Sequence, residues 1–157
     1  MFVEVDMQQF EPADGHYVQR IQESFTRQGL MQTLGATLVQ VKPGYVEIEM
    51  PFSDQLSQQH GFFHAGGIAS IVDTAGGYAG ASLFAADEGV LTVEFKLNLM
   101  APADGDLLIA RGTVIKPGRT LTITQGEVIV EKAGERKVCA LMQQTLMRIV
   151  NRPGITG

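Results

Sequence analysis

The sequence predicts an α+β fold: a curved, six-stranded antiparallel sheet wrapped around one long central helix, with an extra helix at the N-terminus. Three observations carry this. Ile68, Ile71, Val72, Ala75, Ala79 and Leu83 recur at helical spacing through an apolar segment that no strand of ordinary length could contain. Four strand-like runs follow it on short turns, which demand antiparallel neighbours, and two more precede it. A helix with so broad an apolar face needs a cover, and the sheet is the only surface the chain can supply.

Taken in order, residues 1–13 read as an irregular arm. Residues 14–33 read as an amphipathic helix with Asp14 as its N-cap, the stripe Tyr17, Ile21, Ser24, Phe25 and Leu30 as its buried face, and Gly29 or Gly35 as its stop. Ala36–Lys42 and Tyr45–Pro51 form a hairpin about Pro43-Gly44; in the second, Val46, Ile48 and Met50 alternate with Glu47 and Glu49, the mark of a half-buried strand. The loop Phe52–Phe63 leads into the central helix. After the turn Ala86–Gly89, Leu91, Val93, Phe95, Leu97 and Leu99 are expected on one face and Thr92, Glu94, Lys96 and Asn98 on the other. Asp106–Lys116, Thr120–Glu131 and Arg136–Val150 complete the set of strands, and Asn151–Gly157 is expected to fray. The whole, 1–157, reads as a single domain, and a curved antiparallel sheet around one helix is the hotdog arrangement.

Composition narrows the function. At 157 residues, 45% hydrophobic and 18% charged, the chain suits a compact globular domain. A net charge of −5 with no basic run argues against nucleic acid as a partner. One cysteine, Cys139, excludes an intrachain disulfide and a cysteine zinc site, and its strand-like surroundings make it a core residue. The N-terminus lacks the basic and apolar regions of a signal peptide, and the longest apolar run is interrupted by Asp73 and glycines, so the expectation is a cytoplasmic protein that does not span a membrane.

The chemistry-bearing stretch is Gln58 to Leu83. On a helical wheel Asp73 falls opposite the apolar face, among Gly66, Ala69, Ser70, Gly77 and Gly80, with no Lys, Arg or Glu beside it. Glycine costs about 1 kcal/mol in a helix relative to alanine, so several of them call for close approach of a backbone or a ligand. An unpaired carboxylate on such a face is expensive to bury without a function. At the start of the same helix the first backbone N–H groups lack intrahelical acceptors and carry the positive end of the dipole, an arrangement that stabilises an oxyanion. Asp73 lies roughly 10 Å along the helix from that end. One small reacting group cannot touch both, so a site using both takes them from two subunits, which predicts a dimer. His64 reads first as a structural residue fixing the loop; His60 and His16 read as surface groups, and no metal site is expected.

Gln58, Gly61, His64, Gly66 and Asp73 resemble the motif of the PaaI-type acyl-CoA thioesterases of the hotdog superfamily: an amide residue six positions before a His-x-Gly, then an acid nine positions after the histidine. The later Gly118-Arg119 between two strands fits the same family. The resemblance implies that Asp73 is the nucleophile or general base, that the N–H of Ala65 polarises the thioester carbonyl, that Gln58 orients water or contacts the thioester, and that Thr92 assists the water. Ala65 stands where relatives usually carry glycine, and Gln58 where asparagine is commoner. Phe62, Phe63 and Tyr78 are candidates for an acyl or aryl pocket, and Arg119 for the coenzyme A phosphates. No cofactor is implied, coenzyme A entering as part of the substrate; the partners implied are an acyl-CoA and a second copy of the chain, with a tetramer as a further assembly. Two other readings stay open: a hydratase or dehydratase on the same fold, although the short Asp-x4-His register associated with that chemistry is missing, and a non-catalytic acyl-CoA-binding protein.

Overall fold

A computed structural model describes residues 9–156. Its elements are α1 (Tyr17–Thr26), α2 (Gly29–Thr33), β1 (Thr37–Lys42), β2 (Tyr45–Pro51), a 3-10 turn (Asp54–Leu56), α3 (Ala65–Ala81), β3 (Gly89–Leu99), β4 (Leu107–Lys116), β5 (Leu121–Lys132) and β6 (Glu135–Ile149). The six strands form one antiparallel sheet in the order β1-β2-β4-β5-β6-β3, so β1 and β3 are its edges. Bulges in β3, β4 and β6 bend the ladders, and α3 lies across the sheet face that results.

The apolar face of α3 is the one the sequence spacing indicates: Ile68, Ile71, Val72, Ala75 and Ala79 are buried, as is Leu83 just beyond the helix. They meet Val46, Ile48 and Met50 of β2, Leu108 and Ala110 of β4, Val128 and Val130 of β5, and Ala140 and Met142 of β6. The helix reaches the sheet because the strands yield to it. A Cβ on Gly112 of β4 would stand 2.4 Å from the backbone of Ala75 and Gly76, and one on Gly126 of β5 would stand 2.5 Å from Val72 Cγ2. Close backbone approach is therefore licensed mainly by glycines of the sheet rather than by those of the helix.

The N-terminal helix departs from the expected 14–33. It breaks at Gln28, whose backbone is extended (ψ 100°), into α1 and α2. The break resets the phase, so Met31 is buried in place of Leu30, which is exposed. Asp14 does not cap the helix from the N-cap position; His16 stands there, and Asp14 instead accepts from the His16 N–H and pairs with Arg20 at 3.0 Å. Arg20 Nη2 donates to the carbonyls of Ala81 and Phe84, tying α1 to the C-terminal end of α3. Gly35 at φ 66° ends α2, the left-handed turn that glycine allows without strain. Residues 9–12 are irregular, and residues 1–8 of the expected arm lie outside the described residues. The C-terminal tail does not simply fray: Ile155 lies against Gly89, with its carbonyl oxygen 2.6 Å from where a Cβ would stand.

The largest correction concerns β3. Thr92 pairs with Leu146, but a bulge at Val93 shifts the register so that Phe95 pairs with Gln144 and Leu97 with Met142. Cross-strand partners share a face, so Thr92, Phe95, Leu97 and Leu99 face α3, while Leu91, Lys96 and Asn98 face away. The strict alternation expected from the sequence fails at one residue, and that residue turns the Thr92 hydroxyl inward.

Gly112→Ala forces the helix off the sheet, and it is expected to lower unfolding free energy by about 1–3 kcal/mol in chemical denaturation. Cys139 is fully buried in β6, and burial pushes its thiol up to about 11. A thiol reagent at pH 8 is therefore expected to label it only in denaturant.

Candidate active site

The N-terminus of α3 is built by the loop before it. Phe63 N–H donates to Ala103 at 3.0 Å and His64 N–H to Leu56 at 2.8 Å, holding the entry to the helix. His64 is the N-cap, with an extended backbone, and its Nδ1 accepts from Gly66 N–H at 2.7 Å. Its carbonyl accepts from Gly67 at 3.0 Å and from Ile68 at 3.3 Å. That leaves Ala65 as the first-turn residue whose N–H meets no acceptor among the described residues. The open helix end inferred from the sequence thus narrows to one donor, since the cap engages the N–H of Gly66. Gln58 Oε1 accepts from the His60 N–H, and no hydrogen bond from the Gln58 amide nitrogen reaches an acceptor among the described residues. Gln58 and Ala65 share a cavity of about 500 Å³ with Phe62, Phe63, Ile68, Leu99 and Met100. Phe63 is anchored there by an edge-on contact with Phe52, ring centroids 5.1 Å apart.

Asp73 lies elsewhere. Two turns along α3, it lines a separate pocket of about 310 Å³ with Gln28, Thr74, Gly77, Tyr78, Leu91 and Thr92. Thr92 Oγ1 donates to Asp73 Oδ1 at 2.7 Å, and Gln144 Nε2 donates to the same oxygen. No hydrogen bond among the described residues reaches Oδ2. Gly77 has nothing within 4 Å of its absent side chain, so the helix face beside the carboxylate is open, whereas Gly76 and Gly80 are filled by Gln144 and Leu146. Tyr78 belongs to this pocket and not to the one with Phe62 and Phe63; its hydroxyl bonds Ser24 and Gln28, each at 2.9 Å, and closes one end with α1.

The structure therefore gathers the sequence candidates into two groups. Gln58, Phe62, Phe63, His64, Ala65 and Gly66 sit at the start of α3; Asp73, Tyr78 and Thr92 sit along its side. Arg119 joins neither group. It is exposed on the turn between β4 and β5, which Arg148 holds at the far end of α3 through Gly118 O, Glu88 and a contact 4.2 Å over the Phe84 ring. Sequence reasoning missed Gln144 and Thr124, although a signal existed: in Ala140, Met142, Gln144, Leu146 an amide occupies the apolar phase of a strand.

Removing the cap tests the local architecture. His64→Ala is expected to cost about 1 kcal/mol of stability in urea denaturation, with His64→Asn recovering most of it.

Comparison with known proteins agrees with this fold. The thioesterase superfamily profile matches residues 60–137. A thioesterase family protein from Silicibacter pomeroyi is 44% identical, covers 86% of this chain and 99% of its own, and superposes with a TM-score of 0.85. The PaaI protein of E. coli, 20% identical over 89% of this chain and 95% of its own, shares the fold with a TM-score of 0.78. A 1,4-dihydroxy-2-naphthoyl-CoA hydrolase of Listeria monocytogenes is 23% identical over 71% of this chain and 89% of that protein. No helix among the described residues is long and apolar enough to cross a membrane. The chain belongs to the thioesterase superfamily, as a thioester hydrolase of hotdog fold.

Proposed function

We propose that the protein hydrolyses acyl-CoA thioesters of medium-chain or aryl acids, in sites that two copies of the chain build together. The observation that carries this is the placing of the two groups at opposite ends of one edge strand. Leu99 and Met100, at one end of β3, line the cavity of Gln58 and Ala65; Leu91 and Thr92, at the other, line the pocket of Asp73. Between them β3 leaves Leu91, Val93, Phe95 and Leu99 from 44% to 55% exposed on an unpaired edge, which is a template for strand pairing. Antiparallel pairing of β3 with its copy, about a twofold axis near Phe95, covers those side chains. It also carries Asp73 of one protomer toward the cavity that holds Ala65 and Gln58 in the other.

In that arrangement the thioester oxygen accepts from Ala65 N–H and the Gln58 amide nitrogen contacts the substrate. A water between Asp73 Oδ2 and Thr92 Oγ1 attacks the carbonyl carbon and gives its proton to Asp73. The tetrahedral oxyanion is stabilised by the Ala65 N–H and the helix dipole. It collapses with loss of the thiolate, which takes the proton back from Asp73, leaving a free acid and coenzyme A. Phe62, Phe63 and Ile68 give the acyl or aryl group an apolar wall. Arg119 is exposed for the coenzyme's phosphates, and Leu121 and Met147, paired across β5 and β6 and both exposed, would be covered if two dimers stack as a tetramer. Hydration of an enoyl group is disfavoured because His64, the nearest candidate for a second acid–base group in sequence, is engaged in capping the helix.

A thiol-release assay over a panel of acyl-CoAs tests this. Asp73→Asn is expected to lower kcat about 10²- to 10⁴-fold. Ala65→Pro removes the proposed donor at a helix position where proline is tolerated, after a residue already extended, and is expected to cost about 10²- to 10³-fold with the fold intact. Hydration of crotonyl-CoA without thiol release would favour the hydratase reading. Negligible turnover by wild type and Asp73→Asn alike would favour a binding protein.

A further inference from the structure

Gln144 is 1% exposed, in a strand face otherwise made of Ala140, Met142 and Leu146. An amide buried in such a place costs free energy unless all its hydrogen-bonding capacity is used, and here it is used in one direction. Oε1 accepts from Thr124 Oγ1 at 2.7 Å. Nε2 donates to the main-chain oxygen of Asp73 at 3.1 Å and to Asp73 Oδ1, and lies 3.2 Å from Thr92 Oγ1. Room for it is made by the helix: a Cβ on Gly76 would stand 2.1 Å from Gln144 Oε1. Any side chain at 76 would collide with this amide, so the glycine in the central helix is what admits it.

The arrangement has a polarity. With the Thr124 hydroxyl on its oxygen, the amide turns its nitrogen to the carboxylate; reversed, it would set oxygen against oxygen. Gln144 and Thr92 both donate to Oδ1, which fixes the carboxylate plane, and Oδ2 has no donor among the described residues.

We propose that Gln144, oriented by Thr124 and admitted by Gly76, is a positioning residue that clamps the Asp73 carboxylate through Oδ1 and so presents Oδ2 to the water that attacks the thioester. This rests on Asp73 being the hydrolytic carboxylate. The alternative is a purely structural tie between β6 and α3, whose loss would alter stability and leave turnover per folded molecule unchanged.

The test is steady-state kinetics on the acyl-CoA of the panel that wild type cleaves fastest, beside thermal unfolding, for Gln144→Leu, Thr124→Val, Thr124→Ser and Asp73→Asn. Misaiming a catalytic group by a fraction of an ångström to 1 Å costs up to about 10²-fold in rate. Gln144→Leu is therefore expected to lower kcat about 10- to 100-fold with KM within about twofold. Thr124→Val should move kcat in the same direction by less, and Thr124→Ser, which keeps the hydroxyl, should restore it. In the Asp73→Asn background Gln144→Leu should cost nothing further. If Gln144→Leu does not fold, the Thr124 pair carries the test. Loss of activity in Asp73→Asn with kcat unchanged in Gln144→Leu, or in Thr124→Val, overturns the proposal; so does a rise in KM alone. Full activity in Asp73→Asn would instead overturn the assignment of Asp73, a different failure.

Discussion

A helix is rigid along its axis, and this one fixes the distance between two groups that a hydrolytic site would need together. The Ala65 N–H points out of the start of α3, and the Asp73 carboxylate stands on its side eight positions later. No loop movement within one chain brings them to the same carbonyl, because the peptide groups between them are bonded to one another and pressed against the sheet. The two cavities, the exposed apolar edge of β3 and the closed cap at His64 all acquire a common sense from that separation.

The separation is stable only because α3 lies very close to the sheet. Glycine in a strand interior weakens it, by loss of a side chain to pack and by added conformational freedom, yet Gly112 and Gly126 occupy the middle of β4 and β5. What offsets the cost is contact: the Ala75–Gly76 backbone packs against Gly112 and the Val72 side chain against Gly126, and both Ala75 and Val72 are fully buried. The same closeness lets Gln144 and Thr124, which belong to the sheet, reach a residue of the helix. Packing and chemistry meet at Gly76, where the helix gives up a methyl group and the amide takes its place.

Much of this was legible in the sequence, and the unread parts share a cause. The buried face of α3 follows from 3.6-residue spacing, and the inward row of β2 from strict alternation, because each is a property of one element alone. The structural role of His64 could be read from its place in the loop just before the helix. The break at Gln28 and the bulge at Val93 could not, because a single extended or extra residue leaves no compositional mark, yet each changes which side chains face inward downstream. The clamp on Asp73 depends on a register between β3, β5, β6 and α3 that only the folded chain displays. Its sequence trace, a glutamine in an apolar phase, gains meaning once its partners are known.

The central claim is that neither protomer holds a complete site. It is tested most directly by mixing Asp73→Asn and Ala65→Pro proteins, each inactive alone, under conditions that exchange subunits. In half of the resulting dimers one site combines the intact carboxylate of one chain with the intact donor of the other, so random mixing should restore about a quarter of wild-type thiol release. A mixture that exchanges subunits freely and recovers no activity would contradict the account.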